Sequence, residues 1–191
     1  MGALEDPLAL SRHRLTVEDY YRMSELGMLD PLKKTELIDG EIIEVNSMNS
    51  RHAGTVNRVT RLLYAACAGK ALITSQTPLR LSNRSEPQPD LMVLKPRPDE
   101  YTTSHPTPPD VLLLIEVADS SARLDREIKV PLYARHGIGE CWVVDMDLGL
   151  FRLHRHPAKG HYLEVSTTPT PGVMPLPGLP GATIDLTGIL G

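Results

Sequence analysis

Apolar positions along the chain fall into runs whose spacing predicts the elements. The densest is Val111 to Ile115, VLLLI, unbroken as in a strand buried on both faces. A second buried run, Cys141 to Val144, ends at Asp145. Helical spacing begins after Thr16, with Glu18 and Asp19 in the first turn, Val17, Tyr20, Met23 and Leu26 on the apolar face and Gly27 as the stop. It returns from about Asn49 to Lys70, with Val56, Val59, Leu62, Leu63 and Ala66 facing inward. Asp39-Gly40 between two β-prone runs predicts a hairpin, its first strand carrying Glu36, Leu37 and Ile38 and its second Ile42, Ile43 and Val45. Shorter strands are expected around Ala71 to Gln76, Pro78 to Leu81 and Asp90 to Leu94. A later hairpin pairs Leu150 to His154 with His161 to Val165 through Pro157 and Gly160. Beyond the central run, the polar turn Asp119, Ser120, Ser121 gives way to helical spacing with Ile128 and Leu132 on one face. Pro131 falls inside that helix and predicts a kink or a restart.

Between these elements, Lys95 to Pro109 is too rich in turn formers for regular structure and is expected as an exposed loop or an insertion near a cleft. Residues 1–14 are expected as a flexible N-terminus. Residues 167–191 are expected as an irregular Pro- and Gly-rich tail with one short strand near Ile184. Repeats and linkers are lacking, so the 191 residues are expected as a single domain, 1–191. Composition supports a globular chain: 41% hydrophobic and 23% charged, with no apolar run near the roughly 20 residues of a membrane helix. Cys67 and Cys141 lie in apolar patterns without metal-binding spacing, which makes them reduced core residues. Together with the lack of an export signal, they point to the cytoplasm. A net charge of −4 argues against a broad phosphate-gripping face. Any nucleic-acid contact then comes from a local patch, or from carboxylates whose charge a metal offsets.

Glu116 is the position that needs explaining, because an ionised carboxylate inside an apolar strand costs several kcal/mol unless a cation or hydrogen-bond donors take its charge. Glu116 lies about 7 Å back from the strand end, and Lys129 about 6 Å into the returning helix, so their side chains can meet. Asp90 opens a strand expected beside that of Glu116, and such an oxygen pair suits a hard divalent cation such as Mg²⁺. A lysine beside it can orient or deprotonate a water and offset developing negative charge. Plainer roles stand next to these: Asp90 as a turn residue, Glu116 and Lys129 as a structural salt bridge, Lys129 as a solvated helix lysine, and Asp145 as a turn cap. His154 and His156, with His161 across the hairpin, form an arrangement open to a transition metal, though scattered histidines on a solvent-facing hairpin account for them more simply. His52 either faces the cleft as a phosphate contact or lies on the helix surface. P-loop, Rossmann and GxSxG patterns are missing.

Five stretches together resemble the PD-(D/E)xK nuclease superfamily, and more closely its Uma2-type (DUF820) branch of restriction-endonuclease-like proteins. They are TELIDGEI (Thr35 to Ile42), QPDLMVL (Gln88 to Leu94), LLIEVADSS (Leu113 to Ser121), DREIKVPLYARHGI (Asp125 to Ile138) and ECWVVD (Glu140 to Asp145). The resemblance runs from about Leu15 to the C-terminus. It implies an α/β (α+β mixed) fold, a mixed sheet flanked by helices with extra hairpins, and Mg²⁺-dependent hydrolysis of DNA phosphodiesters, with Mn²⁺ as a substitute. On that basis Asp90, Glu116 and the backbone carbonyl of Val117 hold the metal, Lys129 positions or activates the water, and Glu36 is an accessory acid at the site edge. Two residues after the second acid, where the superfamily usually has its lysine, this chain has Ala118, so the role passes to Lys129. Double-strand cutting needs two sites, which implies a homodimer. The rival expectation is a nuclease fold kept as a non-catalytic binding or assembly module, favoured by the acidic charge and an aromatic content of 4%.

Overall fold

The structure is a computed structural model that describes residues 13–45, 48–119 and 125–190, without the side chains of Asp125 and Arg126. In chain order, α1 (Val17–Glu25) precedes the hairpin of β1 (Lys34–Ile38) and β2 (Glu41–Val45), then α2 (Ser50–Cys67), β3 (Leu72–Ser75), β4 (Leu91–Leu94) and β5 (Val111–Ala118). After β5 the chain passes through a π turn (Asp125–Lys129) into the short α3 (Val130–Arg135). It continues with β6 (Glu140–Asp145), β7 (Leu150–Ala158) and β8 (His161–Thr168), and ends in β9 (Val173–Pro175) and β10 (Thr183–Asp185). Strands β3 to β8 form one six-stranded sheet in sequence order. The β5–β6 pair is parallel and the other neighbours are antiparallel, so the sheet is mixed. A parallel pair cannot be joined by a hairpin, so the chain between Ala118 and Glu140 must travel back along the sheet.

Both faces of the sheet are covered, which is why β5 is apolar without alternation. Leu113, Ile115 and Val117 pack towards α2 with Val56, Val59 and Leu63. Leu114 and Ala118 face the other way, towards Leu132 and Tyr133 of α3 and Ile38 of β1. By the same alternation Glu116 points to the α3 side. The cysteines are free thiols, each buried in one of these two core layers.

Several expectations change in detail. Thr16 does cap α1, in a reciprocal pair with Asp19, but only Val17 of the proposed apolar face is buried, and Leu26 at the C-cap is 59% exposed. Pro78 to Leu81 forms no strand. Leu79 and Leu81 donate their N–H groups to Pro87 and Ser85 within the same loop, which takes the backbone that a sheet neighbour would have used. Their side chains still enter the core. Within Lys95 to Pro109, Tyr101 to His105 and Thr107 line a hollow of about 470 Å³ with Tyr21 and Arg80. The C-terminal segment is more ordered than expected: β9 and β10 pair antiparallel, and Leu176, Leu179, Ile184, Leu186 and Ile189 are buried with α2. Its prolines and glycines make the turns, and the apolar residues between them complete the core. Of the expected flexible N-terminus, residues 1–12 lie outside the described residues, and Arg14 pairs with Glu41 at 2.5 Å.

The β1–β2 turn also fixes the entry of the chain. Asp39 and Gly40 both have positive φ (49° and 76°), the geometry of a two-residue hairpin turn. A Cβ on Gly40 would come within 2.7 Å of the Arg14 Cβ and 3.0 Å of the Leu15 backbone, whereas Gly27 (φ 67°) opens on empty space. Gly40→Ala is expected to cost about 2–4 kcal/mol and Gly27→Ala about 1 kcal/mol. Urea denaturation distinguishes them, and equal losses would mean that residues 14–15 do not press on the turn.

Candidate active site

The antiparallel register of β4 and β5 sets Leu91 opposite Ile115, which brings Asp90 and Glu116 to the same end of the sheet. The two acids are fastened to each other's strands. Asp90 N–H donates to Glu116 Oε2 at 3.2 Å, and Val117 N–H donates to Asp90 Oδ2 at 2.9 Å. Glu116 is 1% exposed and Asp90 7%, so both carboxylates are out of bulk water yet within reach of one another.

Charge compensation arrives from the crossover. Pro131 stands in the first turn of α3 and lacks the N–H that an uninterrupted α-helix would use there, and the five residues Asp125–Lys129 form the wider π turn instead. The shifted register turns Ile128 outward, to 43% exposure, and sends Lys129 inward with Leu132 and Tyr133. The expected pairing of Ile128 with Leu132 on one buried face is therefore corrected. Lys129 Nζ lies 2.9 Å from Glu116 Oε1 and 3.5 Å from Glu36 Oε2, where β1 delivers Glu36 to the same buried point. One turn on, the Tyr133 hydroxyl donates to Glu116 Oε1 at 2.5 Å. From the opposite side of the sheet end, His52 Nε2 lies 3.0 Å from Asp90 Oδ1. The first turn of α2 holds His52 there, its N–H donating to the Asn49 side chain at 2.9 Å, and the Asn49 amide in turn donates to Asp119 at 2.6 Å.

Burial works against the charged form of Asp90, but His52, Lys129 and the Val117 N–H outweigh it and hold its carboxyl below the usual carboxylate range. Burial, reinforced by the Glu116 and Glu36 carboxylates, pushes the Tyr133 phenol well above its ordinary value. Tyr133 is therefore a neutral donor.

Asp90, Glu116, Lys129 and Glu36 thus meet in one cluster. Tyr133 and His52 join it, the first unforeseen and the second foreseen only as a surface residue or a phosphate contact. A signal for Tyr133 was present in its spacing, since residues four apart on a helix share a face and Tyr133 follows Lys129 by four. Other buried carboxylates have separate partners: Glu86 takes the Tyr21 hydroxyl and Arg80, Glu140 takes Trp142 and Arg155, and Asp145 accepts from the Leu148 N–H. The hairpin histidines do not converge. A left-handed residue at His156 (φ 57°) breaks the alternation with His154, and His154 packs on the Tyr162 ring instead. Among the described residues no group of three or more His, Cys, Asp or Glu side chains is arranged to hold a metal ion. Among the same residues no helix is long and apolar enough to cross a membrane.

The fold is a mixed sheet flanked by helices, with Asp90 just before β4 and Glu116 inside β5, two residues from its end. A family model, Uma2, described as "Putative restriction endonuclease", matches residues 17–187, and the chain belongs to this family. A solved structure from Anabaena variabilis, described as a putative nuclease belonging to DUF820, superposes with a TM-score of 0.69 over 92% of this chain and 97% of that one. At 14% identity, that likeness concerns the fold. No curated protein matches the chain.

Removing Lys129 leaves two buried carboxylates facing each other. Lys129→Met is expected to cost about 3–5 kcal/mol at neutral pH, with Glu36→Gln in the same chain recovering part of it. A loss under about 1 kcal/mol by chemical denaturation would mean that the acids do not depend on this lysine. A separate pH effect belongs to His154. Burial, and then Arg152, push its imidazole down from 6.5 to about 4. Between those values the unfolded chain binds a proton that the folded chain does not, so stability falls as pH drops from about 6.5 to about 4. His154→Gln should flatten that part of the pH–stability curve, and an unaltered slope would assign it to other groups.

Proposed function

We propose that this chain is a metal-dependent endonuclease that hydrolyses DNA phosphodiester bonds. The observation that carries the reading is the convergence of Asp90 and Glu116 on one buried point with the Lys129 ammonium 2.9 Å from Glu116. The donor set fits a hard divalent cation. Two carboxylates, with the backbone carbonyl of Val117, supply oxygen ligands alone, and Mg²⁺ characteristically takes one or two carboxylates and fills its shell with waters and phosphate oxygens. Mg²⁺ is thus the expected ion, with Mn²⁺ as a substitute. Bound there, such a cation would supply Lewis-acid stabilisation of the negative charge that builds up on the phosphoryl group.

The remaining tasks fall to the chain's own groups. Lys129, held between Glu116 and Glu36, is a proton donor at Nζ, suited to orient an attacking water and to offset charge on the phosphate. Glu36 Oε2, at 3.5 Å from that nitrogen, fixes where the ammonium sits and serves as the accessory acid. His52 anchors Asp90 from the opposite side. We read residues 1–191 as one domain, acting on double-stranded DNA as a homodimer.

A second reading has its own observation. The Lys129–Glu116 contact is a complete buried ion pair, which a non-catalytic nuclease-fold binding module would also need. Cleavage of duplex DNA with Mg²⁺ or Mn²⁺ separates the two. Glu116→Gln, nearly isosteric, is expected to reduce cleavage by about 10²–10³-fold or more while the protein stays folded. Cleavage unchanged in that variant would remove Glu116 from the site, and wild-type protein inert with both metals would favour the binding module. Sedimentation at micromolar concentration tests the dimer, and a monomer throughout would refute it.

A further inference from the structure

The two oxygens of Glu116 stand in different surroundings. Oε1 accepts from the Tyr133 hydroxyl at 2.5 Å and faces Lys129 Nζ at 2.9 Å, whereas Oε2 accepts from the Asp90 N–H at 3.2 Å. Lys129 and Tyr133 lie one turn apart on a continuous stretch of backbone, and both reach the same oxygen. An ammonium on a flexible stem can follow a carboxylate as it rotates. A phenol on a ring fully enclosed in the core cannot, and Tyr133 is 0% exposed. The hydroxyl donates without bringing a charge, so it orients the carboxylate without repelling a cation. Phenylalanine would fill the same space, so the oxygen atom answers to Glu116 rather than to packing.

We propose that Tyr133 is a positioning residue, which clamps Oε1 of Glu116 against α3 and so keeps Oε2 on the Asp90 side, as part of the oxygen pair offered to a hard divalent cation. The inference rests on the reading that Asp90 and Glu116 hold such a cation. Donors of this kind, one shell out from the metal, fix the orientation of its ligands, and their loss weakens metal binding about 10–100-fold.

The test is calorimetric titration of the full chain with MnCl₂, without DNA. Tyr133→Phe is expected to bind Mn²⁺ about 10–100-fold more weakly than wild type, whereas Leu132→Val, which disturbs the same helix without touching Glu116, binds as wild type does. Affinity within about twofold of wild type in Tyr133→Phe, or an equal loss in Leu132→Val, overturns the inference while leaving the metal reading in place. Absence of Mn²⁺ uptake by the wild type overturns both. Should Tyr133→Phe fail to fold, wild type carrying ¹³Cζ-tyrosine gives the answer. One of its six tyrosine signals should shift on titration with MgCl₂, and six unmoved signals overturn the proposal.

Discussion

The structure turns on keeping the charge of Glu116 inside a β-sheet. A carboxylate in the middle of a doubly covered strand has no water to solvate it, and its burial is tolerable only if donors and a cation stand at fixed places around it. The neighbouring elements meet that demand. The β4–β5 register supplies the Asp90 N–H, the crossover supplies Lys129 and Tyr133, and β1 brings Glu36 to the other side of the same ammonium. Even the π turn before Pro131 belongs here, because it rotates Lys129 rather than Ile128 towards the sheet.

Electrostatically the cluster sets three carboxylates against one ammonium and one imidazole. Such a site is short of positive charge, in a chain whose formal charge is already −4. A net charge of that sign gives a polyanion no overall attraction to the chain, so under the proposed reading a divalent cation does double duty: it balances the acids and makes the site attractive to phosphate.

Much of this was legible in the chain because it depends on local chemistry. The VLLLI run shows a doubly buried strand, Asp-Gly shows the first hairpin, and Thr16 with Asp19 shows the start of α1. Glu116 stood out because a carboxylate in such a run requires a partner. What stayed hidden depends on three-dimensional register. Pro131 announces an interruption but does not say that the turn before it widens, and that widening decides whether Ile128 or Lys129 is buried. His52 sits on Asp90 only because the N-terminus of α2 ends beside the start of β4, which no sequence spacing reports. Likewise Leu176, Leu179 and Ile184 sit among turn formers, where their shared burial becomes visible only once β9 and β10 pair beside α2.

Placing the ammonium on the crossover rather than on the acid's own strand also changes how the molecule can come apart. If the lysine stood two residues beyond Glu116, strand and cation would open and close as one. Here the acid lies in the sheet and its counter-charge in a separate segment, so lifting α3 away would strand Glu116 and Glu36 without their shared partner. Carboxylates still buried without that counter-charge penalise any partial opening, which ties the short helix to the sheet by more than its six residues of packing. α3 and the central strands are therefore expected to open as one cooperative unit, with slow amide exchange in α3 set by the global unfolding of the sheet.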